Sequence, residues 1–339
     1  MDESYKYIFG PVLSGRLGRS LGLDLLGGRI CSMNCVYCES GPLATLTLKR
    51  APYVPAAAQL DELARWEAER AAKGEARPDV ITLGGLGEPT LNSDLPRIIA
   101  GVRRIAPGVP VAVLTNASLM TDEAVRGELL ASDIVLPSLD SLLGSEFAAV
   151  NRPHPGLNAL DIAEGIRSFR ARFAGRVWLE VLLVAGVNDS AENLDALELY
   201  CRALAPHRVD VVTLSRPGTE DEATAVDAAT LTLWRERLAA TATRSEPAAQ
   251  ATEALAYTGE KRQGLEDGAV SGPRDTAQLR AALLASLTRR PQTARQLAQA
   301  LLVPEQSVHM ALEGLLAQGE IAARQQDGAT YFQARAPRP

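Results

Sequence analysis

Three of the four cysteines in this 339-residue chain fall within eight positions, Cys31-Ser-Met-Asn-Cys-Val-Tyr-Cys38. Thiols held so close can bind metal, exchange disulfides or pack as small hydrophobes. On a helix the i, i+4, i+7 spacing would line one apolar stripe, but Gly27-Gly28 and Asn34 point to a loop. Structural zinc takes four ligands, typically as two separated pairs. Only Cys35 and Cys38 have that spacing here, and Cys201 falls far along the chain in a predicted helix, where core packing is expected. His154, His207 and His309 form no zinc-finger pair; the first two adjoin proline and read as surface loop residues, the third as an exposed helix residue. Three thiolates can instead hold three irons of a 4Fe-4S cluster and leave the fourth iron open. An open iron beside a glycine-rich rim is a place to bind a small molecule.

The elements that must position these thiols follow from the hydrophobic rhythm. Strand-like runs occur at Leu21–Leu26, Asp79–Leu83, Val111–Thr115, Asp133–Pro137, Val177–Val184 and Val209–Leu214. Helical patterns lie between and after them at Gln59–Lys73, Asp94–Ile105, Thr121–Ala131, Asn158–Phe173, Ala191–Leu204 and Asp227–Ala240. Six βα units predict an α/β fold with a parallel sheet. Distinctive polar or glycine-rich groups follow almost every strand: Gly27-Gly28 with the cysteines, Gly84-Gly85-Leu86-Gly87-Glu88, Thr115-Asn116, Ser138 with Asp140, and Asn188. A barrel brings all such strand ends to one rim. A partial (β/α)6 TIM-type barrel is therefore expected over an open doubly wound sheet.

Length alone suggests about two units, and 46% hydrophobic residues are ample for a core. Residues 1–242 form the expected barrel domain, and 243–274, polar and glycine-containing, an expected linker that is partly helical at most. Residues 275–339 carry helical patterns at Ala277–Arg290, Thr293–Leu301 and Glu305–Gln318. Strands at Glu320–Arg324 and Ala329–Gln333 then flank Asp327-Gly328, a hairpin-turn signal. Three helices and a hairpin predict a winged helix-turn-helix domain. A net charge of -6 argues against a generally basic, nucleic-acid-holding surface. Met1-Asp-Glu-Ser-Tyr-Lys resembles no export signal and no apolar run is long enough to span a bilayer, so a cytoplasmic protein is expected.

Cys-x3-Cys-x2-Cys with Tyr37 before the last cysteine resembles the signature of the radical S-adenosylmethionine (SAM) superfamily. Tyr7–Ser14, Arg16–Asp24, Gly85–Leu91, Leu114–Asn116 and Leu136–Asp140 further resemble its Fe-S oxidoreductase branch related to wyosine synthases, over about residues 5–220. Two departures, Gly15 where an arginine is common and Glu39-Ser40 where Gln-Leu is usual, lie toward the expected substrate side. The resemblance implies that Cys31, Cys35 and Cys38 ligate one 4Fe-4S cluster and that SAM chelates its open iron. Gly87 and Glu88 would receive the SAM ammonium, a carboxylate being the natural partner of that cation. Tyr37 and Asn188 would lie near the adenine, while Thr115, Asn116, Ser138 and Asp140 would contact ribose, carboxylate or substrate. Strand-end capping is the ordinary alternative for these polar residues. The implied reaction is reductive cleavage of SAM to a 5′-deoxyadenosyl radical that abstracts hydrogen from RNA, a peptide or a small molecule, with a one-electron donor such as flavodoxin or ferredoxin.

The winged-helix module tempers a nucleic-acid reading. Residues 275–339 hold seven arginines, no lysine and five acids, about +2, and the third helix presents Glu305 and Glu313 without a cation between them. Carboxylates there would repel phosphates. Protein or peptide contact, or docking on the barrel, is thus preferred for it. The rival reading from another class is an Fe-S or metal-sensing transcription regulator that binds DNA through this module. Wyosine relatives carry a second cluster, for which this chain lacks the cysteines.

Overall fold

Leu21, Leu23, Ile81, Leu83, Val111 and Val113 are all fully enclosed, as alternate residues of strands covered on both faces must be. The computed structural model describes residues 5–243, 276–301, 303–326 and 328–335. In chain order they form β1 (Ile8–Ser14), β2 (Gly18–Asp24), β3 (Ile30–Cys31), β4 (Thr45–Leu46), α1 (Ala56–Ala72), β5 (Val80–Gly84), α2 (Leu95–Ile105), β6 (Val111–Thr115), α3 (Glu123–Leu129), β7 (Ile134–Pro137), α4 (Gly144–Asn151), α5 (Ala159–Arg170), β8 (Arg176–Leu183), α6 (Ala191–Leu204), β9 (Arg208–Thr213) and α7 (Ala228–Ala239). The large sheet runs β1-β2-β5-β6-β7-β8-β9, its last six strands parallel. It does not close, since β1 and β9 are its two edges.

The six expected βα units are present, with Val111–Thr115 and Ala191–Leu204 at the expected ends. Ser190, Asn158 and Asp227 cap α6, α5 and α7 by accepting from backbone N–H groups three residues on, so these helix starts are written locally. Besides the two-residue pair β3 and β4, two longer elements were not expected. β1 pairs antiparallel with β2 and makes an irregular step between Phe9 and Val12, where Gly10-Pro11 interrupts the alternation. α4, only eight residues long, follows β7 before α5.

A second hydrophobic core joins α8 (Thr276–Arg289), α9 (Ala294–Leu301), α10 (Glu305–Ala317) and the antiparallel hairpin β10 (Ile321–Gln326) and β11 (Ala329–Ala334). Almost all of the expected linker lies outside the described residues. The helical module touches the barrel through Arg289, whose guanidinium stacks 3.9 Å from the Phe9 ring centroid and lies 3.7 Å from Asp24 Oδ2. Arg29 donates to Thr288 O, and Tyr331 OH donates to Ser215 O at 3.0 Å. Among the described residues no helix is long and apolar enough to cross a membrane.

Candidate active site at the strand ends

Because β2 and β5 to β9 run parallel, their carboxyl ends share one edge, and the expected polar residues stand along it. The chain leaves β2, turns at Gly27 with φ +64°, and enters the three-cysteine loop through β3. That loop is clamped from two sides. The end of α4 supplies one side: Val36 N donates to Val150 O at 3.0 Å, Asn34 N to Asn151 O at 3.1 Å, and His154 N to Ser32 O at 2.9 Å. The segment after β9 supplies the other, with Thr219 Oγ1 donating to Cys38 O at 2.9 Å and Glu220 N to Val36 O at 3.1 Å. Gly218 is required there, since a Cβ would sit 2.9 Å from Tyr37 Cα.

Cys31, Cys35 and Cys38 are free thiols, half-buried, whereas Cys201 is fully enclosed on α6. Burial pushes the Cys31 thiol up to about 12, and burial raises Cys35 and Cys38 as well. Among the described residues no three Cys, His, Asp or Glu groups are placed to hold a single metal ion. Zinc would draw its ligands onto one centre about 2.3 Å from each sulfur. A 4Fe-4S cluster instead takes each thiolate on a different iron. The soft, three-thiol donor set fits that group. Amide donors face two of the sulfurs: Asn116 Nδ2 lies 3.4 Å from Cys31 Sγ, and Asn151 Nδ2 lies 3.4 Å from Cys35 Sγ.

Glu88, 2% exposed, is where the β5 and β6 ends meet. Its Oε1 accepts from Thr90 N at 3.0 Å, Thr90 Oγ1 at 2.6 Å and Thr115 Oγ1 at 2.6 Å, and its Oε2 from Asn116 N at 2.7 Å. Burial raises its pKa, while the four donors oppose the rise. Gly87 lies against the cysteine loop: Glu88 N donates to Ile30 O, and a Cβ on Gly87 would meet that same oxygen at 1.9 Å. Gly87→Ala is therefore expected to destabilise the chain by about 2 kcal/mol, because backbone rather than a flexible side chain must move. Chemical denaturation compared with iron content after reconstitution would check that both fall together.

Tyr37 OH donates to Asp140 Oδ2 at 2.6 Å, joining the cysteine loop to the end of β7. Asp140 also accepts from Asn151 Nδ2 at 2.6 Å and from Leu182 N at 2.8 Å. Asn188 is fully enclosed; its Nδ2 donates to the carbonyls of Asp140 and Leu182, and its Oδ1 accepts from Val184 N. Asn193 Nδ2 donates to the Asp140 and Asn188 carbonyls. Ser138 and Asn116 remain half-buried at the rim, with Ser138 Oγ 3.5 Å from Glu180 Oε1 and Asn116 Nδ2 2.9 Å from Ser32 Oγ. Cys31, Cys35, Cys38, Tyr37, Gly87, Glu88, Thr115, Asn116 and Asp140 are thus linked by direct contacts. Asn188 stands behind them as a tie between loops.

Sequence reasoning missed Ser32, Asn151 and Glu180, which join the site through partners 42 to 116 residues away. The three histidines lie apart from one another. His207 Nδ1 accepts from Val177 N at 3.0 Å, His154 Nδ1 from Gly156 N at 3.2 Å, and His309 on α10 lies 3.5 Å from Glu305. His207 is half-buried, not a surface loop residue, because it ties β9 to β8.

The family model described as the Radical SAM superfamily matches residues 25–197. A protein of Brachyspira hyodysenteriae named GTPase Obg is 36% identical over 222 residues, covering 66% of this chain and 32% of that protein, so this chain spans about a third of that relative's length. A UPF0026 protein of Synechocystis sp. is 36% identical over 221 residues, covering 64% of this chain and 77% of that one. A radical SAM methyltransferase from Sphaerobacter thermophilus, 18% identical, superposes with a TM-score of 0.50 over 66% of this chain and 63% of its own, a likeness of fold.

Proposed function

The chain belongs to the radical SAM superfamily, and on that premise we propose that it cleaves SAM reductively at a 4Fe-4S cluster held by Cys31, Cys35 and Cys38. When bound, the cluster and SAM supply a 5′-deoxyadenosyl radical that takes hydrogen from the substrate, the difficult chemistry being the cofactor's own. The observation that carries the reading is a loop whose three thiols, with no fourth beside them, are held by protein hydrogen bonds and faced by two amide donors. The regulator reading draws no support from the relatives.

In this proposal the chain's residues do three things. Cys31, Cys35 and Cys38 bind iron and leave one coordination position for SAM. Glu88 offers its carboxylate toward the SAM ammonium, with Thr90, Thr115 and the Asn116 N–H fixing its orientation. Tyr37, Asn116, Ser138 and Asp140 border the nucleoside and the substrate, and Asn188 holds the β8 end in place for the adenine. The electron comes from a one-electron donor such as flavodoxin or ferredoxin, and the substrate is RNA, a peptide or a small molecule. Anaerobic reconstitution followed by dithionite and SAM is expected to yield 5′-deoxyadenosine and methionine. A full cluster without either product would overturn the proposal.

Residues 1–242 are the radical SAM domain in this reading, 243–274 the connector and 275–339 a winged-helix domain. Arg289 of that domain contacts Asp24 of the barrel, while α10 pairs His309 with Glu305 and carries Glu313. We therefore assign it to covering the barrel rather than to reading bases.

Asn151 tunes the cluster in this scheme. An N–H donated to a cluster thiolate stabilises the more negative, reduced state, so Asn151→Ala is expected to lower the midpoint potential. A shift on the order of 60 mV corresponds to a tenfold change in a one-electron equilibrium. Redox titration followed by electron paramagnetic resonance checks it at unchanged iron content.

A further inference from the structure

The guanidinium groups of Arg16, Arg216 and Arg290 gather between the barrel and the C-terminal module, near enough that the first two charges act on the third. Arg16, on the β1–β2 turn, pairs with Glu180 of β8. Arg216 follows β9 by three residues, two before the Gly218 that abuts Tyr37 and three before the Thr219 that holds the Cys38 carbonyl. Its Nη1 lies 3.5 Å from Glu39 Oε2, and its Nε is buried without a hydrogen bond. Arg290, one residue past α8, makes no hydrogen bond and has no carboxylate at ion-pair distance among the described residues. Burial first, then Arg216 and Arg16, holds its pKa down to about 10, against the opposing pull of Glu39.

Arg16, Arg216, Arg290 and the nearby Arg208 meet three carboxylates, Glu180, Glu39 and the Asp210 that pairs with Arg208, which leaves one half-buried positive charge unbalanced. A charge withdrawn from water is costly unless paired. Docking of the module does not account for it, because the neighbouring Arg289 has both Asp24 and the Phe9 ring as partners and Arg290 has neither. Guanidinium forks match anionic oxygens bidentately, and two forks from separate elements suit a tetrahedral group with several oxygens better than a flat carboxylate.

We propose that Arg216 and Arg290, backed by Arg16, bind a phosphate group of the substrate, and that Glu39 occupies Arg216 until that phosphate displaces it. The occupant being the substrate rests on the enzyme reading above. Glu39 directly follows Cys38, so a molecule gripped here by its phosphate lies beside the cysteine loop at the barrel mouth.

Calorimetry on the reconstituted full-length protein at low ionic strength tests this, with inorganic phosphate as probe and acetate as the comparison anion. Wild-type protein is expected to bind phosphate more tightly than acetate. Arg290→Gln is expected to weaken phosphate about tenfold, the loss of one charge-assisted pair. Glu39→Gln, which removes the competing carboxylate without touching the module's packing, is expected to tighten phosphate several-fold. Equal phosphate affinity in all three proteins would overturn the assignment. So would an Arg290→Gln protein that loses SAM affinity while keeping phosphate affinity, since the arginine would then serve the SAM carboxylate. Formation of 5′-deoxyadenosine by the wild type is measured separately; its absence would sink the enzyme reading and leave the phosphate result standing.

Discussion

Cys35→Ala protein is expected to emerge from anaerobic reconstitution with almost no iron and no 5′-deoxyadenosine formation, while Cys201→Ala retains a full cluster. The contrast follows from where the two sulfurs stand. Cys35 sits in the clamped loop with an amide N–H directed at its sulfur. Cys201 is fully enclosed on α6 in the main core, and burial pushes its thiol up to about 12, so it is an inert small hydrophobe. Its truncation removes one sulfur from a packed core, roughly 1 kcal/mol of stability. Iron analysis with ultraviolet–visible spectra of both variants decides the matter, and equal iron loss would refute the ligand assignment.

Glu88→Ala should combine the largest stability loss with loss of SAM turnover. The alanine leaves Thr90 N, Thr90 Oγ1, Thr115 Oγ1 and Asn116 N facing a buried void. Orphaning buried donors costs about 1–3 kcal/mol each and is not additive. A total of about 4 kcal/mol, or roughly a 10 °C fall in Tm, is the expectation. Glu88→Gln separates structure from binding. The amide keeps an oxygen for the three donors on the Oε1 side and turns its NH2 toward Asn116 N, sacrificing one hydrogen bond, about 1–2 kcal/mol. It also removes the negative charge proposed to meet the SAM ammonium, so SAM affinity should fall at least about tenfold. Near-wild-type SAM affinity in the glutamine variant would make Glu88 a structural cap alone.

What the sequence made legible was whatever is encoded over short distances. The α6 start shows in Ser190, whose side chain accepts from Asn193 N, and β6 in the unbroken Val111-Ala-Val-Leu-Thr115 run. The cysteine spacing lies within eight residues, so it could be read directly. β1 escaped because Gly10-Pro11 breaks its alternation, and α4 because eight residues give barely two turns of periodicity. Asn151 escaped for a deeper reason. It reaches Cys35 across 116 residues, and nothing near Asn151 in the chain announces that partner. The same holds for Arg290, which is one arginine among seven in its domain until the fold sets it beside Arg216 and Glu39.

The clamps on the cysteine loop bear on damage and repair. Bonds from Val150, Asn151, His154, Thr219 and Glu220 fix the loop's path through protein contacts. Small metal-dependent domains behave otherwise, their metal supplying the folding energy. If the three thiols hold the proposed cluster, a chain stripped of iron by oxygen is expected to keep the cradle into which iron returns, so that oxidative injury would consume clusters rather than polypeptide.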